Sequence, residues 1–175
     1  MVEDPLALAT RRRLYDTIVA TPGLSAREIQ RAAETAWGET TYHLLRLEEA
    51  GHVHREHGTH QDFYFAAGVP LGDRTLLRLA RSATVRRILV VLLEEPDRTL
   101  EEIAARSGTS LSRTSIHLRR LVETALVETG ARDRYRTFRI GDRRRIAQVL
   151  VRQRGGYADE YVDRLVDVLA EMFPP

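Results

Sequence analysis

Between positions 110 and 136 the chain concentrates hydroxyls and guanidinium groups: Ser110, Ser112, Arg113, Ser115, Arg119 and Arg120, then Arg132, Arg134 and Arg136. A hydroxyl can bond phosphate oxygens or base edges, and a guanidinium presents a planar five-donor fork that fits phosphate and guanine. A second set, Trp37, Thr41, Tyr42, Arg46 and Arg55, lies earlier in comparable surroundings. The histidines His52, His54, His57 and His60 are dense enough to raise metal binding, since neutral imidazoles bind zinc or nickel. Their spacing straddles a turn, however, and the chain has no cysteine to complete a thiolate site. The segment reads instead as a polar loop. His43 and His117 each follow a core threonine by three residues and read as half-buried structural groups. Catalytic patterns are missing: there is no glycine-rich phosphate loop and no nucleophile elbow. The carboxylate pairs Glu48-Glu49 and Glu94-Glu95 are adjacent on helices, so their side chains diverge. No cofactor and no enzymatic activity are expected.

An internal repeat organises these residues. At an offset of 74, without a gap, Pro22, Glu28, Ile29, Thr40, His43, Leu44, Leu47, Glu49 and Val53 recur. Their counterparts are Pro96, Glu102, Ile103, Thr114, His117, Leu118, Leu121, Glu123 and Val127. Each copy reads as three helices followed by a hairpin. The first helix places Leu14 and Ile18, or Ile88 and Leu92, at helical spacing. The second opens on a capping box, Ser25-x-x-Glu28 or Thr99-x-x-Glu102. The third begins near Ala36 or Ser110 and buries Thr40, Leu44 and Leu47, or Thr114, Leu118 and Leu121. Gly51 suits its C-terminal cap, whereas Ala125 in the second copy predicts a different cap. The hairpins turn through Gly58 and through Gly130.

The expected organisation is a first module at 1–68, a linker with a connecting helix at 69–81, a second module at 82–141 and C-terminal helices at 142–175. The last of these carries an apolar stripe of Tyr161, Leu165, Val168, Leu169 and Met172, which predicts packing or homodimerisation. The fold class is thus mainly α with small β-hairpins. The longest aliphatic run, Ile88 to Leu93, is six residues, against about 20 for a membrane span, so no membrane association is expected. The start Met1-Val2-Glu3-Asp4-Pro5 does not look like a signal peptide, and a cysteine-free chain makes the cytoplasm the default location.

The 27 basic side chains are all arginine, and they are unevenly shared. Residues 25–66 hold 4 Arg against 7 Asp plus Glu, a net of −3; residues 99–140 hold 8 against 5, a net of +3. The second copy is the one suited to a polyanion.

The run Thr40-x-x-His43-Leu44-x-x-Leu47-x-x-Ala50-Gly51-x-Val53, repeated around Ile116-His117-Leu118, resembles the recognition-helix signature of ArsR-type and MarR-type regulators. About four-fifths of the chain resembles the tandem winged helix-turn-helix regulators of archaea and some bacteria. The resemblance implies double-stranded DNA as partner, with the third helix in the major groove and the hairpin as a wing on the backbone. It would make contacts of Ser110, Ser112, Arg113, Ser115, Arg119 and Arg120, with Arg132, Arg134 and Arg136 in the wing. In the first copy the corresponding contacts would be Trp37, Thr41, Tyr42, Arg46 and Arg55. Trp37 aligns with Leu111, and apolar residues at both positions favour packing between helices over stacking on a base. Two alternatives stay open: a tandem winged-helix scaffold for protein partners in chromosome segregation or transcription complexes, and a repressor responsive to a metal or small-molecule effector.

Overall fold

The computed structural model describes residues 6–153, and the C-terminal stripe named above lies outside them. The chain divides into two compact units, with the boundary between Arg78 and Leu79. The first unit comprises α1 (Ala9–Ala20), α2 (Ala26–Ala32), α3 (Trp37–Glu49), β1 (Val53–His57) and β2 (Asp62–Ala66). Helix α4 (Leu71–Ala80) follows and crosses the boundary. The second unit comprises α5 (Ala83–Glu94), β3 (Arg98–Thr99), α6 (Leu100–Ser107), α7 (Leu111–Glu123), β4 (Val127–Arg132), β5 (Tyr135–Ile140) and α8 (Arg143–Arg152). The chain is mainly helical with small antiparallel hairpins, two winged helix-turn-helix modules in tandem. The first three helices of each unit begin 74 residues apart, at Ala9 and Ala83, Ala26 and Leu100, Trp37 and Leu111.

Each helix forms for reasons visible in its sequence. Both capping boxes are made. The Ser25 hydroxyl accepts from the Glu28 N–H while Glu28 accepts from the Ser25 N–H at 2.8 Å. Thr99 and Glu102 do the same, also with a 2.8 Å bond to the carboxylate. Two of the orphan donors at each helix start are thereby satisfied. The cores then follow from spacing. In the first unit Leu14 and Ile18 of α1 meet Ile29 of α2, Leu44 and Leu47 of α3, and Val53 and Tyr64 of the hairpin. In the second unit Ile88, Ile103, Leu118, Leu121, Val127 and Phe138 take the equivalent places, all buried. Each large aliphatic side chain so enclosed contributes about 1.5–3 kcal/mol.

Inside each module a hydroxyl pair joins the turn to the third helix. The Thr35 and Thr40 hydroxyls lie 2.7 Å apart, and Thr40 also donates to the Ala36 carbonyl at 2.9 Å. Thr109 and Thr114 make the matching pair. Thr40 and Thr114 have no exposed surface, so these bonds are what allow a hydroxyl in the core.

The structure corrects the sequence reading at three points. Ala125 does not change the cap of α7: it takes φ +56, beside φ +72 at Gly51. Both third helices end in the same paired bonds, His52 N–H to Leu47 and Gly51 N–H to Glu48, Leu126 N–H to Leu121 and Ala125 N–H to Val122. Gly130 is not the hairpin turn. It pairs with Thr137 inside the sheet, and a Cβ there would sit 3.0 Å from the Thr137 hydroxyl. The turn is Asp133-Arg134, with Asp133 at φ +57, a conformation aspartate tolerates better than most residues. Third, β3 adds a short strand on β5, pairing Arg98 with Phe138 and Thr99 with Thr137. The first unit keeps only a bridge between Leu24 and Tyr64, at the same offset.

Candidate nucleic-acid interface

With its buried side fixed by Thr114, Leu118 and Leu121, α7 turns two adjacent stripes away from the core. One carries Ser112, Ser115 and Arg119; the other carries Arg113, Ile116 and Arg120. Ser112, Arg113, Arg119 and Arg120 are exposed and Ser115 is half-buried. Ser110 is the N-cap, its hydroxyl accepting from the Arg113 N–H, and the first turn holds no acidic residue. The positive end of the helix dipole is thus left open to an anion. Ile116 is 55% exposed between the two arginines. Sequence reasoning named its counterpart Tyr42 but missed Ile116, although the repeat offset pointed to it; an exposed aliphatic group here suits a thymine methyl. His117 is half-buried, and burial, with Arg120 and Arg113 nearby, pushes its pKa below the ordinary histidine value.

The wing of the second unit carries Arg132, Arg134 and Arg136, all exposed. Arg134 lies over the Tyr135 ring at 5.4 Å and Arg136 over Phe138 at 5.5 Å. Arg132 has a different occupation. It bonds Glu102 at 2.9 Å and ties the wing to the start of α6. The Thr99 backbone N–H, followed by Arg132, holds the Glu102 carboxyl at about 2.

The first unit presents another surface on the same scaffold. Trp37 is 39% and Leu111 50% exposed, so each is partly covered, and the Arg27 guanidinium lies over the Trp37 ring at 3.7 Å. The Thr41 hydroxyl donates back within the helix, to the carbonyls of Gly38 and Trp37. Arg46 is paired with Glu49 at 2.9 Å, and Arg55 with Glu48 at 3.4 Å and Asp62 at 3.8 Å. Glu39 stands in the first turn of α3, where it opposes an approaching phosphate. Tyr42 is exposed. At the end of β1, His57 bonds Asp62 of β2 at 2.9 Å, while His52 meets the edge of Tyr15. Among the described residues no cluster of His, Asp and Glu could hold a metal ion. No described helix is long and apolar enough to cross a membrane.

A capped three-helix unit with a hairpin beside its third helix, made twice, defines a tandem helix-turn-helix protein. Comparison with known proteins agrees. Residues 8–77 match a family model described as an N-terminal HTH domain, and residues 81–127 match one described as winged helix-turn-helix DNA-binding. A protein of Methanocaldococcus jannaschii named as an uncharacterized HTH-type transcriptional regulator is 27% identical over 120 residues. That stretch is 69% of this chain and 30% of the relative, so the chain spans about a third of the relative's length.

Proposed function

We propose that the chain is a transcriptional regulator, not an enzyme, that binds double-stranded DNA with sequence specificity through its second module. Helix α7 enters the major groove, Arg113, Arg119 and Arg120 read or flank bases, and Arg134 and Arg136 lie on the backbone. One observation carries this reading: among the described residues those three arginines of α7 form no ion pair, whereas Arg46 and Arg55 of the first module are both engaged by carboxylates. Likeness to ArsR-type and MarR-type regulators is part of the reading and rests on the Thr40 to Val53 motif. In this organisation 1–68 and 82–141 are the two modules, 69–81 links them, and 142–175 supplies a homodimer contact. The regulator works in the cytoplasm.

Fluorescence anisotropy on duplexes from upstream of its own gene tests this at two salt concentrations. A protein neutralising several phosphates loses orders of magnitude in affinity between about 50 and 200 mM salt. Salt-insensitive binding, or equal affinity for unrelated duplexes, overturns the proposal.

A further inference from the structure

In the second unit, α7, the start of α6 and β5 enclose a cleft of about 210 Å³. Its apolar lining is the buried Leu118 and Phe138 with the half-buried Leu100 and Val122, and the exposed Arg119 and Arg136 line it too. Ser115 and Glu123 complete the lining, which leaves one net positive charge. Among the described residues neither arginine is held in an ion pair; Arg136 rests over the Phe138 ring.

At the counterpart positions of the first unit the chain makes its own ion pairs. At the repeat offset Val122 becomes Glu48, Arg136 becomes Asp62, Phe138 becomes Tyr64 and Thr129 becomes Arg55. Arg55 reaches Glu48 on α3 and Asp62 on β2, and its charge acts on the Tyr64 hydroxyl. One cation there meets two carboxylates. In the second unit the polarity is reversed and incomplete: two guanidinium groups share the lining with apolar side chains, and the single carboxylate cannot balance both.

We propose that this cleft binds a small carboxylate carrying one ring or branched chain. Its carboxylate would sit between Arg119 and Arg136, the part that Glu48 and Asp62 play toward Arg55. Its hydrocarbon would rest on Leu118, Val122 and Phe138. The size agrees, since a cavity of about 150 Å³ holds benzene, and this cleft therefore holds a ring plus a carboxylate. A charge-assisted pair with a guanidinium gives the acid its preference over a neutral analogue. Because Arg119 also belongs to the outer face of α7, an occupied cleft withdraws it from DNA; this second step rests on the regulator reading.

The test titrates the full chain with phenylacetate, followed through backbone amide shifts, beside 2-phenylacetamide and acetate. Phenylacetate should bind about tenfold more tightly than the amide, with shifts centred on Val122 and Phe138, and acetate should bind far more weakly. Arg136→Gln should erase the preference for acid over amide. The double change Val122→Glu with Thr129→Arg, which copies the first unit's bridge, should abolish binding while circular dichroism stays unchanged. Equal binding of acid and amide, shifts centred elsewhere, or full binding by the double variant each overturn the cleft. A duplex titration without ligand is run in parallel. DNA binding without phenylacetate binding rejects the cleft alone, and phenylacetate binding without DNA binding rejects the regulator alone. Phenylacetate binding that leaves DNA affinity unchanged rejects the coupling between them.

Discussion

Helices α3 and α7 share their inner face and differ on their outer one. Both bury a threonine bonded to the preceding turn, then two leucines, and both end on a left-handed residue with the same pair of closing bonds. Position by position, Arg46 corresponds to Arg120 and Glu49 to Glu123. Yet Arg46 closes on Glu49, while Arg120 stands open beside Arg113 and Ile116. A duplicated scaffold needs only its caps, its hydroxyl pair and its core to fold. The remaining surface was free to diverge, toward open guanidinium groups in one copy and a self-neutralised face in the other. Net charge alone describes this poorly, because what separates the helices is whether each guanidinium has a carboxylate in reach.

The largest expected effects test that contrast directly. Arg113→Ala and Arg119→Ala should each weaken specific DNA binding by about 1–3 kcal/mol where the arginine reads a base. The matched pair Arg120→Ala and Arg46→Ala is the sharper comparison, since only the first removes an open cation. Arg46→Ala and Thr41→Ala should change affinity by less than about threefold, since Arg46 is already paired with Glu49 and the Thr41 hydroxyl is bonded within its own helix. Arg134→Ala in the wing should weaken all sequences alike and flatten the salt dependence by about one unit of slope. One anisotropy series on folded variants decides; greater losses from the α3 variants would reverse the assignment of the working module.

The second comparison asks whether the inner faces are as alike as their hydrogen bonds. Thr40→Val and Thr114→Val keep shape and remove the buried hydroxyl; Thr35 loses its hydroxyl partner, while Thr109 keeps Ser107 at 2.9 Å. Each should cost about 1–3 kcal/mol by urea denaturation. A large cost in one copy and none in the other would break the equivalence.

How much of this was legible in the sequence depends on the range of the interactions. The gapless offset gave the element order, and Ser25, Glu28, Thr99 and Glu102 gave both capping boxes, because a cap involves residues only three apart. Helical spacing gave Thr40, Leu44, Leu47 and their counterparts as core. What escaped is decided across longer distances. The pairing of Arg132 with Glu102 joins residues 30 apart, so nothing local in the sequence shows that this wing arginine is paired. Gly130 read as a turn because glycine usually marks one, whereas here it makes room for the Thr137 hydroxyl across the sheet. Strand β3 is two residues long, too short for any alternation to show. The cleft beside α7 emerged only when Thr129 and Val122 could be seen where Arg55 and Glu48 close the other copy.

The Thr99 capping bond, with the Arg132 tether second, also makes the second module acid-sensitive in a defined window. Glu102 titrates at about 2 in the folded chain, against an ordinary value of 4.5. A depressed carboxyl contributes stability that is fully present above the ordinary value and is lost as pH falls toward the folded one. Stability should therefore drop between about pH 4.5 and 2, and Glu102→Gln should flatten that drop. Denaturation curves at stepped pH measure it. An unchanged slope in the variant would show that the Thr99 and Arg132 bonds do not set this carboxyl.

The smallest effect isolates backbone conformation from everything else. Gly51 and Ala125 occupy the same left-handed cap, at φ +72 and +56, and close the same bonds on their helices. A Cβ at Gly51 would meet no atom within 4 Å, so an alanine there meets no steric obstacle. Any difference between the residues at this site comes from the dihedral preference of an L side chain, about 1 kcal/mol in the left-handed region, partly offset by the greater freedom glycine has when unfolded. Gly51→Ala should therefore destabilise the chain by somewhat under 1 kcal/mol, and Ala125→Gly should stabilise it by a similar amount. The two shifts should be opposite in sign and close in size, read as changes in urea midpoint at constant slope. If both variants lose stability, Ala125 has a packing role that its exposed position does not suggest, and the two caps are alike in geometry alone.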